Sequence, residues 1–279
     1  MCIRDRCEGV DENPHPSVVC EPINLAFSTQ PALVYDMKWK GSSQLSTLQK
    51  ETICRIFQSF DARGGFLLGD ATGVGKGRTI AGVIHESKAR DDEFRGIWIS
   101  ANSRLKSDAM QEIKILDDIQ NVDDNILFTS YTNMLQEKNK KKIIAFLENH
   151  AHEKVLVLDE CHHLRNNSRS AKCIQEIVSS SQNIKILYSS ATAASSYKHL
   201  QYLDRMGLWG MDTPFASYET LSSAIKTHGS SLMELLSIHM RSSGAYVSRQ
   251  LSFKNVVMDH RHIILSSQEE KMYLSLIHI

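Results

Sequence analysis

The chain has 279 residues, of which 42% are hydrophobic, and this apolar content is enough for a packed core. Lys and Arg together number 32, as do Asp and Glu, so the formal net charge is zero and no overall basic field indicates nucleic-acid binding. No stretch approaches the roughly 20 apolar residues of a membrane-spanning helix, the N-terminus is charged where a signal peptide is apolar, and the cysteines lack C-x-x-C spacing. We therefore expect an intracellular protein with reduced thiols.

The two ends resemble adaptor-derived sequence, so we expect a fragment in which residues 1–6 and 274–279 are not native. Residues 1–42 show no sustained hydrophobic period and predict an extended lead-in packed on a domain. We expect an α/β domain over residues 43–265, with an extension that begins at about residue 193. Residues 266–279 then form a truncated helix.

The first predicted helix begins near Gln44, with Ser42 or Ser43 as its cap. Its apolar face comprises Leu45, Leu48, Ile53, Ile56, Phe57 and Phe60. Gln49 lies on this helix and has two interpretations: a solvated glutamine, which is the commoner case, or an amide that reads adenine beside a nucleotide site.

A glycine-rich stretch, residues 69–78 (GDATGVGKGR), follows the apolar run Phe66-Leu67-Leu68 and precedes a helical pattern. Strand, glycine loop and helix in this order predict a phosphate-binding loop, in which backbone N–H groups surround an anion and Lys76 reaches the outer phosphates. The match to G-x-x-x-x-G-K-[ST] is imperfect. Asp70 takes the first glycine position, and Gly77 takes the position whose hydroxyl normally holds magnesium.

Two further predicted strands end in small polar residues, as expected at the working edge of a parallel sheet. Residues 96–100 lead to Asn102 and Ser103, which either serve the site or cap the next helix. Residues 126–130 lead to Tyr131, with Thr129 just before the strand end. The lysine run at residues 138–142 predicts the solvated start of a helix.

The apolar run at residues 154–158 predicts a strand that is buried on both faces, and it ends in Asp159 and Glu160. Adjacent carboxylates there are costly unless they hold a cation or a water. We expect Asp159 to hold magnesium and Glu160 to orient and deprotonate a water. Zinc binding by the neighbouring Cys and His residues is disfavoured, because their spacing fits no common ligand pattern.

A fifth strand is predicted at residues 184–188, followed by Ser190 and Thr192. Five strands alternating with helices predict an α/β fold, a parallel sheet with helices on both faces. Beyond Thr192 the pattern predicts three helices, around residues 200–206, 221–225 and 233–240. A pair of strands is then predicted near residues 245–252 and 256–264.

The ordered motifs resemble the first RecA-like domain of superfamily 2 helicases, a P-loop NTPase domain of the DExD/H box type. More narrowly, the chain resembles the strawberry notch family of helicase-like proteins from about His15 to Tyr273. The stretch after Thr192 carries the narrower resemblance, through RMGLWG at residues 205–210, TPF at 213–215 and GAYVSRQLSF at 244–253. Members of that family characteristically have glycine at the position of Gly77.

The resemblance implies roles for individual residues. Lys76 would hold the β- and γ-phosphates, Gln49 would contact adenine, Asp159 would hold Mg²⁺ and Glu160 would activate the water. The other residues of the nucleotide site would be Thr72, Gly73, Val74, Gly75, Gly77 and Arg78. Coupling of hydrolysis to movement would fall to His162, Ser190 and Thr192. The nucleic-acid side would be lined by Asn102, Ser103, Thr129 and Tyr131.

The implied function is the first motor domain of an ATP-dependent helicase or translocase, with ATP and Mg²⁺ as cofactors. Its partners would be DNA, RNA or chromatin, without a membrane, and a second RecA-like domain of the same parent chain that supplies an arginine finger. Without that domain we expect weak ATP binding and poor turnover. Two alternatives remain: a chromatin or transcription coregulator that keeps the motor fold as a scaffold, and the motor domain of a phage or bacterial methylase fusion. We expect the nucleus for a eukaryotic source, and the cytoplasm for a bacterial or viral one.

Overall fold

The computed structural model describes residues 31–116, 125–148, 153–164, 168–181, 183–191, 200–211 and 213–249, together with Ser266 and Glu269. The predicted strand at residues 256–264, most of the terminal helix and the first 30 residues of the lead-in lie outside these ranges. No helix among the described residues is both long and apolar enough to cross a membrane.

The described residues form one six-stranded parallel sheet with helices on both faces, which confirms the predicted fold class. The strand order is β3-β2-β4-β5-β1-β6. The strands are β1 Gly65–Leu68, β2 Arg95–Ser100, β3 Ile126–Ser130, β4 Lys154–Asp159, β5 Ile184–Ser189 and β6 Tyr246–Val247. The helices are α1 Thr47–Arg63, α2 Lys76–Arg90, α3 Lys106–Leu116, α4 Tyr131–Met134, α5 Glu137–Glu148, α6 Arg169–Ser179, α7 Tyr218–His228 and α8 Ser230–Ser242.

The two faces of the sheet carry separate apolar cores because side chains alternate along each strand. In β4, Val155 and Val157 face the core formed with α1, α2 and α3. Leu156 and Leu158 face the other core, formed with α4 to α8. All four side chains are buried, which explains why this strand reads as an unbroken apolar run.

Helix α1 begins one turn later than the sequence predicts. Ser46, and not Ser42 or Ser43, is the N-cap: its hydroxyl accepts from the Gln49 N–H at 3.3 Å, and the Gln49 Oε1 accepts from the Ser46 N–H at 3.0 Å. This reciprocal pair is a capping box. Residues 42–44 form a separate 3₁₀ turn.

After residue 192, the helix predicted around residues 200–206 is wrong, whereas the first predicted strand is present. Leu200, Leu203 and Met206 are buried, but they lie on turns with a 3₁₀ segment, Asp204–Met206, which ends at Gly207 with φ 67°. The first strand of the predicted pair is present as β6, and its predicted partner at residues 256–264 lies outside the described residues. Helices α7 and α8 carry the chain across the sheet, so Tyr246–Val247 joins the main sheet parallel to β1.

Candidate nucleotide-binding site

The predicted phosphate loop connects β1 to α2 at the carboxyl edge of the sheet. Gly73 has φ 88° and Gly75 has φ 95°, a backbone region that residues with a side chain rarely adopt. Gly75 is the N-cap of α2, so the loop ends at the positive end of a 15-residue helix. Thr72 and Gly73 are exposed, whereas the Val74 side chain is buried beneath the loop. This is the shape that an anion-binding loop requires.

Lys76 is the first residue of α2, and its Nζ donates to the backbone carbonyl of Asp70 at 2.9 Å. The ammonium group therefore lies across the loop. Gly77 follows, and a Cβ built on it would have Glu112 Cγ at 3.6 Å as its nearest neighbour, an ordinary contact. Packing thus leaves room for a side chain at the position where other phosphate loops carry a hydroxyl.

Gln49 is 7% exposed and lies against the loop, with its Nε2 donating to the Gly75 carbonyl at 3.3 Å. Because its Oε1 already completes the α1 capping box, both ends of the amide are engaged. The structure thus ties the helix before β1 to the loop after it. Contact of this amide with adenine stays a prediction.

Asp159 ends β4, and hydroxyl groups from both neighbouring strands hold its carboxylate. Ser100 at the end of β2 donates to Oδ2 at 3.1 Å, and Ser189 at the end of β5 donates to Oδ1 at 3.1 Å. Both serines are fully buried. Neither serine has a predicted role, although the sequence carries a signal for both: each is a hydroxyl residue at the end of a predicted strand, and both strands lie beside β4.

Glu160 is one of two described non-glycine residues with positive φ, at φ 49° and ψ 46°. Its N–H donates to the Asp159 carboxylate at 3.0 Å, which helps to hold this left-handed turn. The Nδ1 of His162 lies 3.1 Å from Glu160 Oε2 and 2.9 Å from Ser190 Oγ. The predicted coupling residue His162 therefore contacts both Ser190 and Glu160, whereas Thr192 lies outside the described residues. Unusual backbone geometry of this kind often accompanies functional sites.

Cys161, which follows Glu160, is fully buried. Burial raises the pKa of its thiol to about 12, so the thiol is neutral at physiological pH. Among the described residues, no group of three or more His, Cys, Asp and Glu side chains could hold a metal ion.

The residues predicted to line a nucleic-acid side do not all face solvent. Asn102 and Ser103 are exposed, and the Asn102 side chain accepts from the Arg104 N–H at 3.0 Å, so it caps a turn. Thr129 is half-buried. Tyr131 is a correction: it is 5% exposed and donates its OH to the Asp159 carbonyl at 2.9 Å. Its aromatic ring belongs to the core, where it supports the backbone of the acidic motif.

Arg78, predicted to belong to the nucleotide site, forms an ion pair with Glu112 of α3 at 2.6 Å. Both side chains are about one third exposed, so this pair links α2 to α3 at the surface. A contact of Arg78 with nucleotide stays a prediction.

The residues present fit a nucleoside triphosphate with Mg²⁺. Two left-handed glycines and a helix N-terminus provide an anion cradle, and Lys76 adds a positive charge. Asp159 would hold Mg²⁺, with phosphate oxygens and water as the remaining ligands, since Mg²⁺ retains several waters readily. Neither Gly77 nor any cluster of carboxylates adds a further protein ligand among the described residues.

Comparison with known proteins shows the family of this chain. The family model described as P-loop containing NTP hydrolase pore-1 matches residues 14–275. Mouse protein strawberry notch homolog 2 is 32% identical in an alignment 290 positions long that covers 93% of this chain and 21% of that protein. The Drosophila melanogaster protein strawberry notch is 31% identical, over 93% of this chain and 18% of its own length. Protein FORGETTER 1 of Arabidopsis thaliana is 29% identical, over 93% of this chain and 23% of its own length. The resemblance to the strawberry notch family is thereby confirmed.

The chain spans about a fifth of the length of these relatives. Among solved structures, the Sulfolobus solfataricus SWI2/SNF2 ATPase core in complex with dsDNA superposes with a TM-score of 0.54 at 16% identity. The match covers 80% of this chain and 47% of that one. At this identity the likeness concerns the fold, a helicase-like ATPase core.

Proposed function

Because the chain belongs to the P-loop containing NTP hydrolase pore-1 family, we propose that it binds ATP with Mg²⁺ as the first motor domain of an ATP-dependent helicase or translocase. The observation that carries this proposal is the placement of Lys76 and Asp159. They follow β1 and β4 of one parallel sheet, so both stand at its carboxyl edge, with β5 between their strands.

In the binding step, Lys76 contacts the β- and γ-phosphates, and the first-turn N–H groups of α2 donate to phosphate oxygens. Helix N-termini leave these N–H groups without intrahelical acceptors, which is why they suit an anion. Bound Mg²⁺ neutralises charge on the phosphate oxygens. Ser100 and Ser189 keep the Asp159 carboxylate in one orientation for that ion.

In the hydrolytic step, Glu160 orients the attacking water and accepts its proton. Its left-handed backbone turns the side chain away from the strand direction and brings it to His162. His162 in turn contacts Ser190 at the end of β5, so a change at Glu160 reaches the adjacent strand through one side chain. This contact supports the predicted coupling role of His162 and Ser190.

The proposal extends to nucleic acid as the partner. The Sulfolobus ATPase core of the same fold was solved with double-stranded DNA. The exposed Asn102 and Ser103 follow β2 and are available for contacts with phosphate and sugar. A second RecA-like domain closes on the nucleotide in this account, and chromatin, transcription and the nucleus form its setting in a eukaryotic source.

One observation favours a second candidate, a scaffold that binds nucleotide without turning it over. Gly77 withholds a hydroxyl ligand from Mg²⁺ although the structure has room for one. A protein that needs only to bind the nucleotide, and not to hydrolyse it, tolerates the loss of this Mg²⁺ ligand.

Steady-state ATP hydrolysis by the full-length protein, with and without DNA or RNA, separates the two candidates. The motor proposal expects turnover that nucleic acid stimulates and that both Lys76→Ala and Glu160→Gln abolish. The scaffold expects ATP binding that depends on Lys76 while turnover stays at the level of Glu160→Gln. Turnover that survives Lys76→Ala would contradict both.

A further inference from the structure

An acidic residue lies inside the proposed phosphate loop. Asp70 lies two residues after the end of β1 and is 1% exposed. An uncompensated carboxylate in this position would repel the phosphates of a nucleotide, and the repulsion would be weakly screened because the group is buried. The loop therefore needs a cation beside Asp70 that does not compete for the nucleotide.

Arg249 supplies that cation from a distant part of the chain. Its Nε donates to Asp70 Oδ1 at 3.0 Å and its Nη2 donates to Oδ2 at 2.6 Å, a two-pronged pair in which the arginine side chain is 8% exposed. The same guanidinium donates to the Leu48 carbonyl at 3.0 Å and to the Thr52 hydroxyl of α1. Arginine suits this position because its planar fork matches a carboxylate and leaves donors for other groups.

The backbone of Arg249 is held next to the loop as well. Its carbonyl accepts from the Ala71 N–H at 2.8 Å, which continues the ladder that begins with Leu67 and Ala245. Ser248 adds a side-chain bond from its Oγ to the Gly69 carbonyl at 3.0 Å. The segment after β6 therefore runs beside the first half of the phosphate loop, past the end of β1.

Asp70 connects this segment to Lys76. Its side chain pairs with Arg249, and its backbone carbonyl accepts from Lys76 Nζ at 2.9 Å. Resting on the proposed nucleotide binding, we propose that Arg249 is a positioning residue for the phosphate loop. It neutralises Asp70 and fixes the carbonyl that receives Lys76, so that Lys76 is the cation left for the phosphates.

The test measures ADP affinity, by displacement of a fluorescent ADP analogue, and amide hydrogen exchange of the loop without nucleotide. It uses the 279-residue chain as wild type, Arg249→Gln, Asp70→Asn and the double variant. Arg63→Gln is the matched control. Its guanidinium ties α1 to Ser243, at 2.9 Å to Oγ and 2.6 Å to the carbonyl, in the same connection to β6 but away from the loop.

Arg249→Gln should weaken ADP binding about 10-fold and speed exchange in residues 69–79 by a similar factor. Asp70→Asn should bind ADP at least as tightly as wild type, because it removes the negative charge and keeps Arg249. The double variant, in which two amides can bond to each other, should return to within about threefold of wild type. Arg63→Gln should change neither measurement.

Equal weakening by Arg249→Gln and Asp70→Asn would overturn the proposal, because it would indicate a packing role without an electrostatic one. Unchanged affinity and exchange in Arg249→Gln would overturn it too. If Arg249→Gln does not fold, the double variant and Asp70→Asn decide: ADP binding weakened more than about threefold in either contradicts the proposal. If wild type does not bind ADP, the nucleotide proposal fails, and loop exchange alone still decides whether Arg249 positions the loop.

Discussion

Two glycines of the phosphate loop should respond in opposite ways to alanine. Gly75→Ala places a Cβ on a residue with φ 95°, which costs about 1–2 kcal/mol for an L-residue in the left-handed region. The new Cβ would lie 2.7 Å from Gln49 Nε2, so Gln49 must move and give up its bond to the Gly75 carbonyl, a further loss of about 0.5–1.5 kcal/mol. We expect the free energy of unfolding to fall by roughly 2–3 kcal/mol.

Gly77→Ala is the matched control two residues later. Gly77 does not have a positive φ, and a Cβ at this position would have no neighbour closer than 3.6 Å, so alanine should introduce no strain. Replacing a helical glycine by alanine then changes the free energy of unfolding by between about 0 and 1 kcal/mol in the stabilising direction.

The assay is urea unfolding of both variants and wild type, followed by far-UV circular dichroism. The comparison requires that the three proteins share the same m-value, the slope of the free energy of unfolding against urea concentration. The two free energies of unfolding should differ by at least about 2 kcal/mol. Equal destabilisation by the two substitutions would refute the reasoning, because it would mean that the loop does not have the backbone described here.

Three further predictions concern neighbouring groups. Gly77→Ser should fold normally and bind ATP with Mg²⁺ more tightly than wild type, with no gain when EDTA removes the metal; a gain without metal would contradict a Mg²⁺ ligand role. Cys161→Ala should reduce the fall in the free energy of unfolding at alkaline pH. Burial raises the pKa of the folded-state thiol from 9.0 to about 12, so the thiol of the unfolded state ionises first as the pH rises. Between those pH values the wild type should lose about 1.4 kcal/mol of stability per pH unit through this thiol. An unchanged slope in urea unfolding at pH 9 to 11 would be the contrary result. Glu86→Gln should loosen the lead-in, because this fully buried carboxylate accepts from the Lys38 and Trp39 N–H groups at 3.0 and 2.8 Å, and limited proteolysis should cut near residue 38 sooner than in wild type.

The parts of the site that the sequence predicts are those built from contiguous residues. The apolar run of β4 followed by Asp159 and Glu160 needs no tertiary information, because burial on both faces and the carboxylates are read in one stretch. The same holds for the loop and Lys76, where glycine spacing and the following helix are local signals.

The contacts that the sequence analysis missed join residues far apart in the chain. Asp70 and Arg249 are 179 positions apart, and Ser100 and Asp159 are 59 apart. Asp70 carried a partial signal, since an acid in an anion-binding loop must be neutralised, but many basic residues could have done so. Only the strand order, with β6 beside β1 and β2 beside β4, selects the partner.

At Tyr131 and around Leu203, by contrast, a local sequence pattern led to a wrong prediction. Tyr131 follows a strand end, where working residues gather, yet its ring is buried and its OH supports the Asp159 carbonyl. The apolar spacing near Leu203 imitates a helix because every third residue is buried, whereas the backbone forms turns. A period of three in apolar residues therefore predicts burial without fixing the backbone conformation.

The central claim is that residues 69–78 bind a nucleoside triphosphate. Calorimetric titration of ATP with Mg²⁺ into the wild-type chain, Lys76→Ala and Lys88→Ala tests it most directly. Lys88 is the control because it lies on the same helix α2 at the other end, where its Nζ donates to the Asp92 carbonyl at 3.1 Å. We predict saturable binding by wild type and Lys88→Ala, and a loss of at least about 10-fold in affinity for Lys76→Ala. Equal affinity in all three proteins, or no binding by wild type, would contradict the account.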